Sequence, residues 1–179
     1  RVVFRGGRPP IKIEMVELKP GVVLQGEDFD VLAFPMRHRG PDCFGFVFQE
    51  HARRPFLNEK ANELGVPQGP ERRDLVRGTP VTLADGRVVQ PEDVLGELRP
   101  GAKLVMTGDV GDTQSIMPAV KNATTLVTES TYADSDGDMA REHGHLSAGQ
   151  AARMARDAGV QQLILTHISG RHRERDLED

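Results

Sequence analysis

The chain reads as an α/β fold, and three patterns say so. Short apolar runs at Lys103–Met106, Leu126–Thr128 and Leu163–His167 are bounded by turn residues, the mark of buried strands. Between the last two, Ser147 with Gln150 three residues on forms a capping box. It opens a helix through Ala151, Ala152, Ala155 and Ala158 that Gly159 stops. Strand, helix, strand in that order predicts parallel strands joined by a right-handed crossover. The first half instead alternates apolar and polar residues with the period of half-buried strands, which predicts a β-meander ahead of the parallel part. In open sheets of this class ligands gather beyond the carboxyl ends of the strands, and His167 stands at such an end.

Taken in order, residues 1–10 hold two Gly and two Pro among three Arg and read as a loop. Ile11–Leu18 alternates as a strand. Pro20 and Gly21 turn the chain into Val22–Leu24, and Phe29–Phe34 forms a further strand that runs into Pro35, Met36, Arg37 and His38. Cys43–Phe48 puts Phe44, Phe46 and Phe48 on one face, expected to be core anchors because no basic residues interleave with them. Helical spacing spans Pro55–Leu64, with Gly65 as the cap, and Val66–Pro70 continues no regular element. Val81–Leu83 and Arg87–Val89 flank the Asp85–Gly86 hairpin turn, and Pro91–Gly101 reads as connection. Lys103–Met106 leads to Thr107, Gly108 and Asp109. A helix follows over Ile116–Asn122, and Leu126–Thr128 delivers Glu129.

A length of 179 residues suits a single domain, residues 1–179, with a sizeable core. No apolar run approaches the roughly 20 residues of a membrane span, and no signal peptide is visible. Cys43 is the single cysteine, so an internal disulfide is excluded and a reducing, cytoplasmic setting is expected; its neighbours Phe44 and Phe46 favour a buried thiol over a nucleophile. A formal net charge of −4 argues against broad coating of a nucleic acid but leaves room for local basic patches. The chain opens on Arg1 rather than Met, so a longer parent protein is expected.

His38, Asp109 and His167 each follow an apolar strand. If those strands share a sheet, two imidazoles and a carboxylate converge in a set that suits zinc. On spacing alone the plainer alternatives stand beside this: a capped turn for Asp109, and surface or hydrogen-bonded histidines. Glu129 and His145 form a second pair, since a carboxylate makes an imidazole a better cation and proton donor. His143, two residues away, competes with His145, and a solvated strand end and polar loop remain the plain reading of the pair.

The ordered set PMRH (35–38), FGF (44–46), GVPQGP (65–70), DG (85–86), GD (108–109), VTESTY (127–132), HLSAGQAA (145–152) and LILTHISGR (163–171) resembles the carboxyl-terminal half of the ribonuclease Z family. These are tRNA 3′-processing endonucleases of the metallo-β-lactamase superfamily. The resemblance implies the second half of an αββα sandwich, two zinc ions per complete site, precursor tRNA as substrate, and a homodimer. It implies His38 and His167 as ligands of different zincs, with Asp109 bridging both. A metal-activated hydroxide would attack the phosphodiester, His145 would serve the leaving 3′ oxygen, Glu129 would orient His145, and Arg171 would hold RNA phosphate. Three departures qualify it. The family's His-Glu-Ala-Thr is Thr128, Glu129, Ser130, Thr131 here, and its Gly-Asp-Thr is Gly108, Asp109, Val110. The H-x-H-x-D-H signature that supplies most zinc ligands is absent from this sequence, so at most a partial metal site is expected. Another hydrolase of the same fold, acting on a small ester or phosphodiester, and a metal-free relic are the alternative readings.

Overall fold

The computed structural model describes residues 12, 14, 16–40 and 42–171. Six strands form one mixed sheet in the order β1-β2-β3-β6-β7-β8: β1 (Gly21–Gln25), β2 (Phe29–Met36), β3 (Cys43–Glu50), β6 (Lys103–Met106), β7 (Thr125–Glu129) and β8 (Gln162–Thr166). The first three pair antiparallel, β3 pairs antiparallel with β6, and β6, β7 and β8 run parallel. Both expected parts, meander and parallel crossover, are therefore in one sheet. The expected strand over Ile11–Leu18 falls partly outside the described residues, and its described positions lie in no strand.

Helices α4 (Met117–Val120) and α6 (Ala148–Asp157) cover one face. Val47, Val105 and Leu126, which are register partners across β3, β6 and β7, meet Ile116, Val120, Ala151, Met154 and Ala155 there. The three phenylalanines of β3 do not belong to this core. They point to the opposite face, where Phe44, Phe46 and Phe48 join Leu24, Val31 and Met106 around an open apolar hollow of about 590 Å³. Alternation assigns residues to two faces without saying which one helices will cover. The covered face of β3 needs a small residue, because a Cβ at Gly45 would collide with the Phe34 ring.

Residues 51–101 build a second, smaller core of Ala61, Val66, Leu75, Val81, Val89 and Val94. It is made from α1 (Asn58–Glu63), α2 (Pro70–Val76), the hairpin β4 (Val81–Thr82) and β5 (Val88–Val89), and α3 (Pro91–Val94). The segment 91–101 is thus not connection alone: Gln90 and Asp93 form a capping box that opens α3. Pro70, which ends the preceding loop, also starts α2, the position where a missing N–H costs nothing. Arg72 ties the loop down by donating to the carbonyls of Val66 and Pro67 and to the side chains of Asn58 and Asn62.

Candidate functional site

Because β3 is antiparallel to both β2 and β6, β2 runs parallel to β6, β7 and β8. Four carboxyl ends therefore share one edge, and each delivers a side chain just beyond its strand or at its last residue: His38, Asp109, Glu129 and His167. His145 comes from outside the sheet. It follows α5 (Gly137–His143), whose cap Gly144 takes a left-handed φ of 70° and turns the chain back toward α6.

Glu129 is buried, with its side chain 1% exposed. It accepts from the main-chain N–H of Val110 (2.8 Å) and Leu146 (3.2 Å), from the Thr131 hydroxyl (2.5 Å) and N–H (3.4 Å), and from His145 Nδ1 (2.9 Å). Burial pushes its carboxyl up, but the bonds from Thr131, Val110, His145 and Leu146 together outweigh burial and hold it below its ordinary value. An anion so held fixes the His145 proton on Nδ1 and leaves Nε2 as the basic nitrogen.

His38 is organised the same way. Its Nδ1 lies 2.9 Å from the Gly144 carbonyl, which can only accept, so Nδ1 carries the hydrogen and Nε2 turns to Asp109 Oδ2 at 4.0 Å. Asp109 Oδ1 is 3.3 Å from His167 Nδ1, and the ring centroids of His38 and His167 lie 5.1 and 5.5 Å from that of His145.

Among the described residues, two groups of side chains have ligand atoms within 4.8 Å of one another and could hold a metal ion: His38, Asp109 and His145, and Glu129, His145 and His167. The donor chemistry of imidazole and carboxylate fits a divalent ion such as zinc. Glu129 is the poorest ligand of the set, because five hydrogen bonds already fill its oxygens. Three ligands fall short of the four that zinc takes in a closed site, so further donors or water would complete the shell.

The structure therefore brings together five of the residues singled out in the sequence and separates two. His143 stacks on Tyr132, centroids 6.3 Å apart, and its carbonyl accepts from Arg39, away from the cluster. Arg171 is exposed and lies against Met139 of α5. Cys43 is partly buried, with Sγ directed to the Gly40 carbonyl. Sequence reasoning missed Thr131 and the main-chain donors of Val110 and Leu146. Thr131 carried a signal in its spacing two residues past Glu129; the main-chain donors carried none.

Fold and rim together define a domain of β-lactamase type with a candidate metal site at its sheet edge. A family model described as beta-lactamase superfamily domain matches residues 57–168, and the chain belongs to that family. Within it, the chain is 46% identical over 175 residues to a protein named ribonuclease Z from Bradyrhizobium diazoefficiens, covering 98% of this chain and 58% of the relative. A second ribonuclease Z, from Bradyrhizobium sp., is 47% identical over 96% of this chain and 57% of its own length. The chain thus spans just over half of these relatives. Among solved structures, the metallo-β-lactamase fold protein YhfI from Bacillus subtilis matches with a TM-score of 0.54 at 19% identity, over 91% of this chain and 46% of that one, a likeness of fold. Among the described residues no helix is long and apolar enough to cross a membrane.

Proposed function

We propose that this chain forms the carboxyl-terminal part of a zinc-dependent endoribonuclease that cuts precursor tRNA at the 3′ end. The observation that carries this reading is the convergence of a buried Glu129–His145 pair with His38, Asp109 and His167 at one sheet edge, in a chain 46% identical to a ribonuclease Z. His38, Asp109 and His167 would hold zinc, which when bound supplies a Lewis acid and lowers the pKa of water for attack on the phosphodiester. His145, with Nδ1–H held by the Glu129 carboxylate, keeps Nε2 free to carry a proton and pass it to the leaving 3′ oxygen. The anionic Glu129 stabilises the imidazolium that this transfer needs. Arg171, exposed and four residues beyond His167 in the chain, is the cation offered to RNA phosphate, and a homodimer is the assembly in which the whole protein would act.

The test is incubation of the full-length protein with precursor tRNA, with the 3′ end of the product mapped and zinc content measured. His145→Ala should lose about 10²- to 10⁴-fold in cleavage rate, the usual worth of a general acid, while retaining zinc. Asp109→Ala should lose both. Equal zinc loss in the two variants, or no cleavage by the wild type, overturns the reading.

A further inference from the structure

Thr131 stands between the buried carboxylate and the rim. Its hydroxyl lies 2.5 Å from Glu129 Oε2 and 2.8 Å from His167 Nδ1, and its main-chain carbonyl accepts from the Ser169 N–H at 3.1 Å. A hydroxyl has one proton to give. An ionised carboxylate only accepts, so that proton goes to Glu129, and a lone pair of Oγ1 must take a proton from His167. The hydrogen of neutral His167 therefore sits on Nδ1 and its free lone pair on Nε2. Asp109 Oδ1, 3.3 Å from the same Nδ1, is also an acceptor and asks for the same tautomer. A cation bound by Asp109 would draw that carboxylate away, leaving Thr131 as the acceptor that persists.

The backbone adds a second observation. His167 has φ 56°, and among the described residues it shares a positive φ only with Asn122 outside glycine. Such a conformation is disfavoured for a residue with a Cβ and survives where surroundings over-determine it. Thr131 supplies two of those constraints, one through its carbonyl to Ser169 and one through its hydroxyl to the His167 ring.

We propose that Thr131 is a positioning residue, whose hydroxyl sets the tautomer and ring orientation of His167 and so presents Nε2 to a divalent cation at the strand edge. The cation clause rests on the reading of His167 as a metal ligand; the tautomer clause stands without it.

Two measurements separate these clauses. Long-range ¹H–¹⁵N spectra of the metal-free protein, recorded where imidazole is neutral, should show His167 with a protonated Nδ1 and a pyridine-like Nε2. Asp109→Ala, which removes the competing acceptor, and Thr131→Ser, which keeps the hydroxyl, should each preserve that pattern, and Thr131→Val, which removes the hydroxyl at similar volume, should give mixed tautomers in the Asp109→Ala background. Zinc alone, titrated against a chromogenic chelator, should bind about 10- to 100-fold more weakly to the Val variant and near wild-type strength to the Ser variant, the range typical of losing a ligand's supporting hydrogen bond. A wild-type His167 protonated on Nε2 overturns the proposal even if the Val variant fails to fold, and so do mixed tautomers in Asp109→Ala alone or a double-variant spectrum identical to wild type. A changed tautomer with unchanged zinc affinity overturns the cation clause. Absence of zinc binding in the wild type refutes the functional reading, and the spectra still decide the tautomer.

Discussion

The two halves of the rim are built on opposite principles. The Glu129–His145 pair is enclosed, with side-chain exposures of 1% and 12%, and the fold satisfies the carboxylate from four directions before any ligand arrives. Asp109 and His167 are open, at 42% and 52%, and the contacts of Asp109 with His167 and His38, at 3.3 and 4.0 Å, are loose. The first half is part of the folded structure's own stability; the second is a set of donors held at the right separation with capacity to spare. A site that must keep a proton in place and also admit an ion and a substrate benefits from this division.

The largest expected effect comes from removing the enclosed partner. Glu129→Ala strips the acceptor from three buried N–H groups, a hydroxyl and an imidazole, and should destabilise the fold by about 3 to 5 kcal/mol, since buried donors left unpaired cost their full desolvation. Urea unfolding measures it; a loss below about 1 kcal/mol would mean the pair is not part of the fold's stability.

The same carboxylate gives the fold a pH signature. Its folded-state pKa lies below the ordinary 4.5, so the unfolded chain binds more protons in the window just under that value. The stabilisation is fully present above about pH 4.5 and is lost as pH falls through the folded value. Urea midpoints for the wild type should therefore fall on acidification below that point more steeply than those of Glu129→Gln; parallel profiles would show that Glu129 titrates normally.

A smaller effect belongs to the support behind His145. Ser147 caps α6 through its hydroxyl to the Gln150 N–H, and Asp134 accepts from the Ser147 hydroxyl and the Gly149 N–H. The Ser147 hydroxyl, first among several donors, holds the Asp134 carboxyl below its usual range. Ser147→Ala should cost about 1 kcal/mol, the ordinary worth of an N-cap, read as a lowered thermal midpoint. No change in midpoint would mean that Asp134 caps α6 unaided.

How much of this was readable in advance follows the same division. His38, Asp109 and His167 could be named because each follows an apolar strand, and strand ends are where parallel sheets put their chemistry. Glu129 and His145 could be paired as carboxylate and imidazole, but nothing in the sequence says that Val110 and Leu146 turn their main-chain N–H groups toward Glu129, because main-chain donors have no residue type. The capping box of α6 was legible from Ser147 and Gln150, whereas α5 was not: its seven residues GDMAREH carry little apolar periodicity, and it is ended by a left-handed glycine. The covered face of the sheet was misread at Phe44, Phe46 and Phe48 because which face helices cover depends on segments distant in sequence.

The smallest stability effect, and the sharpest contrast, is expected at the open half. Asp109→Asn keeps the size and an acceptor oxygen for the His167 Nδ1–H, and it removes a charge that solvent already screens. Metal-free stability should change by less than about 0.5 kcal/mol, as for surface substitutions generally. The response to zinc should change far more. Binding to the folded state alone raises the midpoint by mass action, so wild type should gain thermal stability as zinc is added and Asp109→Asn should gain little or none. A variant destabilised by more than about 2 kcal/mol without metal would place Asp109 among the enclosed, structural members of the rim, and the distinction between its two halves would fail.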